Sequence, residues 1–214
     1  MRIGILGTGD VGRALATGLV KLGHEVKMGS RETGNPKAVA WAAEVGPRAS
    51  SGSFADAAQF GELVVLATVW SGTENALRLA KTSNLAGKVL IDATNPLVIQ
   101  AGAPPALVIG HRDSGGEQVQ RWASEARVVK AFNTVGYAHM VNPQFPGGPP
   151  DMFICGNDGA AKETVTEILT QFGWNTIDIG GIEGSRVLEP MCILWVTYGA
   201  RTNSWNHAFK LLRK

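Results

Sequence analysis

A short apolar run, Arg2 to Leu6, leads without a spacer into Gly7-Thr8-Gly9-Asp10-Val11-Gly12, and that hexapeptide leads without a spacer into a stretch of helical period. Val11, Leu15, Leu19 and Leu22 share one face of the expected helix, Gly23 stops it, and Glu25 to Met28 reads as a second strand. On its own, G-x-G-x-x-G is a weak signal. Set between a strand and a helix, with a second strand following, it reads as the phosphate-binding turn of a dinucleotide-binding βαβ unit. Gly7 permits the tight turn, Gly9 lets bare backbone approach a pyrophosphate, and Gly12 lets helix and strand pack closely. The first N–H groups of the helix and its positive dipole end supply the anion site.

The same alternation continues along the chain. Pro36 to Val45 reads as a helix, Leu63 to Thr68 as a buried central strand and Lys88 to Ala93 as the next strand. Glu117 to Ala126 reads as a helix, Val128 to Phe132 and Met152 to Cys155 as strands, and Ala160 to Phe172 as a helix. The expected fold is α/β, a Rossmann-type, mostly parallel sheet. With 214 residues, 44% of them hydrophobic, the chain can bury one large core. Residues 1–181 are expected to form the nucleotide-binding domain. Residues 182–214, carrying Trp195, Tyr198 and Trp205, are expected to form a small helical C-terminal cap over the ligand edge. Ala101 to Gly116 and Asn142 to Pro150 read as long loops bordering the ligand.

Cofactor choice turns on the end of the second strand. NAD-selective sites place an acid there to accept from the ribose 2′-hydroxyl. This chain has Ser30-Arg31, a hydroxyl and a guanidinium suited to a 2′-phosphate, so NADP(H) is the expected cofactor. Lys37 is a second candidate phosphate partner. Thr68 and Trp70 stand at the carboxyl end of the central strand, the edge where open α/β sheets bind ligands.

Other classes find little support. A net charge of +2 with scattered Lys and Arg argues against nucleic acid, and no apolar run is long enough for a membrane helix. The amino terminus lacks the order of a signal peptide, and two lone cysteines suit a reducing compartment, so a cytoplasmic location is expected. The histidines stand alone and no metal site is expected. Asp113-Ser114-Gly115-Gly116 resembles the surroundings of a serine nucleophile, but Ser114-x-x-Glu117 is better read as a helix capping box. Trp41, Trp122 and Trp174 are expected to pack core and helices.

Taken together, MRIGILGTGDVGRALATGLVKLGHEVKMGSRE, VLATVW, VVKAFNT and FICGND resemble the deazaflavin-dependent NADP reductase family over nearly the whole chain. The same shape is shared by the reductase domains of six-transmembrane metalloreductases; with no membrane segment here, a soluble two-electron reductase is the closer likeness. The resemblance implies NADP along Thr8 to Gly12, its 2′-phosphate at Ser30 and Arg31, and its nicotinamide beside Trp70. It also implies a second ring-shaped ligand, a deazaflavin or flavin, walled by Asn95, Pro96 and Leu97, by Asn133 and Thr134, and by Gly184, Ser185 and Arg186. The chain departs from the pattern at Asn133, where archaeal-type enzymes carry histidine, and at Val69, where proline is usual.

No acid–base residue stands out, which suits hydride transfer between two rings. A carbonyl or imine substrate would need a proton donor, for which Tyr137, His139 and Tyr198 are the candidates. The partner is thus a small-molecule hydride acceptor or donor, with a homodimer as a further expectation. The alternatives are an imine reductase similar to pyrroline-5-carboxylate reductase, whose helical domain is longer than this tail, and a non-catalytic NADP(H)-sensing module.

Overall fold

The computed structural model describes residues 1–98, 100 and 104–214. Ten strands and seven α-helices are formed among the described residues. They run β1 (Arg2–Leu6), α1 (Asp10–Lys21), β2 (Glu25–Ser30), α2 (Pro36–Val45), β3 (Ala49–Ser53), α3 (Phe54–Phe60), β4 (Leu63–Leu66) and α4 (Thr73–Ala80). There follow β5 (Val89–Asp92), β6 (Leu97–Val98), β7 (Ala106–Leu107), α5 (Gly115–Trp122), β8 (Arg127–Lys130), β9 (Asp151–Gly156), α6 (Gly159–Gln171), β10 (Asn175–Asp178) and α7 (Ser185–Thr202).

Eight strands make one sheet in the order β10-β9-β8-β5-β4-β1-β2-β3, and β6 and β7 make a separate antiparallel pair. From β3 to β8 every neighbour is parallel, the doubly wound Rossmann arrangement. β9 runs against β8, and β10 runs parallel to β9. Alternate residues of each strand feed opposite faces: Ile3 and Ile5 join a core with Leu15, Leu19 and Trp41, while Leu6, Val64 and Leu66 join one with Ala57, Leu77 and Val119. Chain order reverses between β1 and β4, which opens the ligand crevice at their carboxyl ends.

The structure adds elements that the sequence pattern passes over. β3 reads Ala-Ser-Ser-Gly-Ser, with no β-branched residue, and exists because it pairs with β2 at the sheet edge. α3 and α4 are short, and the capping box of Ser53 and Asp56 is the local signal for α3. β10 lies on the other edge. The expected loop from Ala101 to Gly116 holds β7 and donates its last two residues to α5; its residues 101–103 lie outside the described set. α5 begins earlier than the apolar period suggests, at Gly115, because Ser114 caps it by accepting from the Glu117 N–H at 3.2 Å.

α7 packs its Leu188 into the core beside Ile182 and Val119, although Pro190 lies within it. Beyond Thr202 the chain has no regular structure and is pinned by Trp195 and His207, which exchange hydrogen bonds through Nε1 and Nε2 with each other's carbonyls at 2.9 and 3.0 Å. No helix among the described residues is long and apolar enough to cross a membrane.

Cys155 and Cys192 are buried, and burial pushes their thiols up to about 11 and about 12. Thiolate is therefore scarce at neutral pH. A disulfide reagent at pH 8 is expected to label neither cysteine in the folded protein within minutes and both after denaturation; rapid native labelling would contradict their burial.

Candidate functional site

At the carboxyl end of β1 the backbone turns at Gly7 with φ +137°, a region closed to side-chain-bearing residues; a Cβ there would stand 2.3 Å from the Ala67 carbonyl oxygen. Gly12 is required differently, since its Cβ would lie 2.4 Å from the Gly7 oxygen. Around Gly9 the protein offers nothing within 4 Å, and as the N-cap of α1 it provides no side-chain hydrogen bond to the first turn. Fold packing thus explains two glycines, while the third leaves bare space before donor groups at a helix start. That is the shape and chemistry a pyrophosphate needs.

Two adjoining cavities meet over this turn. One, of ≈ 460 Å³, is lined by Gly7, Thr8, Gly9, Arg31, Phe54 and Asn75, among others. The second, of ≈ 530 Å³, takes Val11, Trp70, Thr94, Asn95, Leu97 and Tyr137. They share Gly9, Ala67, Thr68 and Val69. Val69 is held on the rim with 77% of its surface exposed. Trp70 is braced from behind by Trp122, ring centres 5.5 Å apart.

The residues singled out by sequence divide accordingly. Gly7, Thr8, Gly9, Arg31 and Thr68 line the first cavity, and Gly9, Asp10, Val11, Thr68, Trp70, Asn95 and Leu97 line the second. Ser30 is buried, and its hydroxyl donates to the Glu32 carbonyl, shaping the turn that presents Arg31. Lys37 is exposed on α2 and does not line the cavity. Pro96 is buried. Asn133 and Thr134 are buried behind Asn95, where Asn133 Nδ2 donates to Asn95 Oδ1 at 3.1 Å and to the Leu188 carbonyl at 2.9 Å. Ser185 is buried with its hydroxyl 3.3 Å from Cys155 Sγ, and Arg186 pairs with Glu117. That guanidinium is the main cause holding the Glu117 carboxyl below its usual range, against burial. Neither Ser185 nor Arg186 lines the second cavity, because the start of α7 is packed against α5 and β9. Among the three candidate proton donors Tyr137 lines it; His139 bonds Asn206, and Tyr198 packs edge-on against His207.

Behind the second cavity lies a cluster that the sequence reading did not assemble. Lys130, Asp92 and Glu189 are buried. Lys130 Nζ stands 2.8 Å from Asp92 Oδ2, 3.0 Å from Glu189 Oε1 and 3.0 Å from the Thr94 carbonyl. Asp92 Oδ1 accepts from the Thr94 N–H and hydroxyl at 2.9 and 2.7 Å. Glu189 accepts from the Gly115 and Gly116 N–H groups, both at 2.9 Å. Burial lowers the ammonium's affinity for its proton, but the two carboxylates outweigh it and hold Lys130 well above its usual range. The cluster fixes Thr94 in the cavity wall and ties α7 to the start of α5. Its three members come from distant chain segments, so only the polar intrusions at Asp92 and Lys130 in apolar strands signal it.

A doubly wound sheet, a glycine turn with open space at a helix start, and a guanidinium at the end of β2 define an NADP-dependent oxidoreductase. Residues 2–96 match the family described as NADP oxidoreductase, coenzyme F420-dependent. The chain is 32% identical to the F420-dependent NADP reductase of Methanocaldococcus jannaschii over 92% of its own length and 91% of the relative's. It superposes with a TM-score of 0.92 on a candidate F420-dependent NADP reductase from Arthrobacter sp. FB24, at 40% identity with 99% of each chain covered. The match to Metalloreductase STEAP3 of Rattus norvegicus is also 32% identical and covers 89% of this chain, which spans only 36% of that longer protein. The chain belongs to the F420-dependent NADP reductase family.

Proposed function

We propose that the protein moves a hydride between NADP(H) and a flat, ring-bearing acceptor of the deazaflavin or flavin type. The reading rests on one observation above others, the pair of cavities joined at Gly9, Thr68 and Val69. The first suits the adenosine and pyrophosphate, with Gly7 to Gly12 holding the phosphates and Arg31 the 2′-phosphate. The second suits the nicotinamide with a ring stacked beside it, walled by Val11, Trp70, Asn95 and Leu97. NADP(H), when bound, supplies the hydride-carrying carbon; the residues around it orient two planes and exclude water. Lys130, Asp92 and Glu189 keep the wall rigid. Residues 182–214 act as a cap by anchoring α7 through Glu189. Imine or carbonyl reduction is a second reading, favoured by Tyr137, whose hydroxyl belongs to a residue of the same cavity.

Purified protein mixed with NADPH and, in turn, a deazaflavin, FMN, a quinone and a cyclic imine tests both. Loss of the nicotinamide absorbance with a deazaflavin or flavin supports the first reading. Turnover confined to the imine, and sensitive to Tyr137→Phe, supports the second. NADPH is expected to bind more tightly than NADH. Arg31→Ala is expected to remove about ten- to a hundredfold of that preference, the worth of one charge-assisted contact. Titration of both nucleotides measures it, and equal wild-type affinities would overturn the cofactor assignment.

A further inference from the structure

A separate cavity, of ≈ 520 Å³, opens between α4 and the end of α5 and shares no lining residue with the two already described. Glu74, Leu77 and Arg78 recur at the spacing of one face of α4 and form one wall, with Lys81 just past the helix end. The half-buried Trp122 forms the other. The volume falls within the ~300–1,000 Å³ of small-molecule sites.

Glu74 and Arg78 stand four residues apart, a spacing at which opposite charges on a helix ordinarily pair. Yet neither they nor Lys81 stand in any ion pair among the described residues. Arg78 Nη2 instead donates to Asn75 Oδ1 at 2.6 Å. The backbone is forced where the cavity gains its second cation: Lys81 has φ 61° and ψ 110°, between α4 and the 3₁₀ turn Thr82–Leu85. A side chain is strained in that region and glycine is not. Lysine there puts an ammonium beside the hydroxyls of Thr82 and Ser83 in the cavity wall.

One residue links this space to each of the other two. Trp122 packs against Trp70, which lines the second cavity. Arg78 holds Asn75, which lines the first.

We propose that this cavity is an accessory site for an aromatic phosphate monoester of mononucleotide size, and that its occupancy is felt in the dinucleotide cavity. The ring stacks on Trp122, the phosphate lies between Arg78 and Lys81, and Glu74 accepts from an amino or hydroxyl group of the ligand. A phosphate that draws Arg78 from Asn75 loosens the wall against which the dinucleotide lies, which couples the two sites.

Calorimetric titration of the NADP⁺-saturated protein with 5′-AMP, and with adenosine and inorganic phosphate separately, tests the site. With the dinucleotide cavity filled, one 5′-AMP per chain is expected to bind with quenching of tryptophan emission, at least about tenfold more tightly than either fragment. Arg78→Gln combined with Lys81→Gln is expected to weaken it by about tenfold. Lys81→Gly separates ligand from fold: it is expected to melt no lower than the wild type, because glycine relieves the strain, while losing about threefold in affinity. Coupling is read from the release rate of NADPH already bound and chased with excess NADP⁺, which a competitor for the same cavity cannot alter. Release is expected to quicken by at least about threefold when 5′-AMP is present, and not in the double variant. Failure of 5′-AMP to bind the NADP⁺-saturated protein, an affinity untouched by the double substitution, or an unchanged NADPH release rate overturns the proposal.

Discussion

Gly9→Val is expected to abolish NADPH binding while leaving the fold intact. Gly9 has φ −78° and ψ −178°, a conformation any residue adopts, and an added side chain meets no protein atom within 4 Å of its Cβ. Folding stability should therefore shift by no more than about 1 kcal/mol, the cost of a poorer residue at the N-cap. Branched carbons placed over the first turn of α1 would occupy the space in which a pyrophosphate reaches the helix N–H groups, so affinity should fall by at least about a hundredfold, near 3 kcal/mol. Gly7→Ala supplies the contrast. Positive φ and the approach to the Ala67 oxygen make that variant unstable before any ligand is added. Calorimetric titration beside thermal unfolding separates the two, and normal NADPH binding by Gly9→Val would mean that the turn serves the fold alone.

Lys130→Met is expected to cost more stability than any other single change considered. Its ammonium is buried between two carboxylates, and removing it leaves Asp92 and Glu189 facing each other without a counter-charge. Breaking a buried pair costs about 3–5 kcal/mol. At 2–4 °C per kcal/mol for a chain of this size, melting should fall by roughly 6–20 °C. Replacing the cluster as a set, Asp92→Asn with Lys130→Met and Glu189→Gln, should recover part of the loss, because no unpaired charge then remains. A single substitution that melts within about 2 °C of the wild type would show that the cluster contributes little.

What could be read from the chain follows from which interactions are local. β1, the glycine turn and α1 are adjacent in sequence and each supports the next, so the strand, turn and helix around Gly7 to Gly12 were legible. The apolar strands β4, β5 and β8 announce themselves because both of their faces are buried. β3 carries no such mark: its serines become a strand only by pairing with β2. The wall behind the second cavity was legible only in outline. Asn133 follows an apolar strand, as expected, yet its side chain turns to Asn95 and Leu188, away from that cavity, and Phe132 at φ +64° makes that turn. Lys130, Asp92 and Glu189 meet only in three dimensions. The start of α7 was expected at the ligand, but Ser185 and Arg186 are held against Cys155 and Glu117 instead.

The two joined cavities draw on the chain unequally. Every residue lining the first lies between Gly7 and Asn75, whereas the second takes Gly9 to Val11 and Ala67 to Trp70 from that stretch and adds Ala93, Thr94, Asn95, Leu97 and Tyr137. Under the proposed assignment, acceptor preference draws in part on a later stretch of sequence, from about residue 94 onward, that the nucleotide cavity does not use. Divergence in the later stretch can change what receives the hydride while the source of reducing power stays the same, and exchange of residues from about 94 onward between relatives should transfer acceptor choice without transferring the choice between NADPH and NADH.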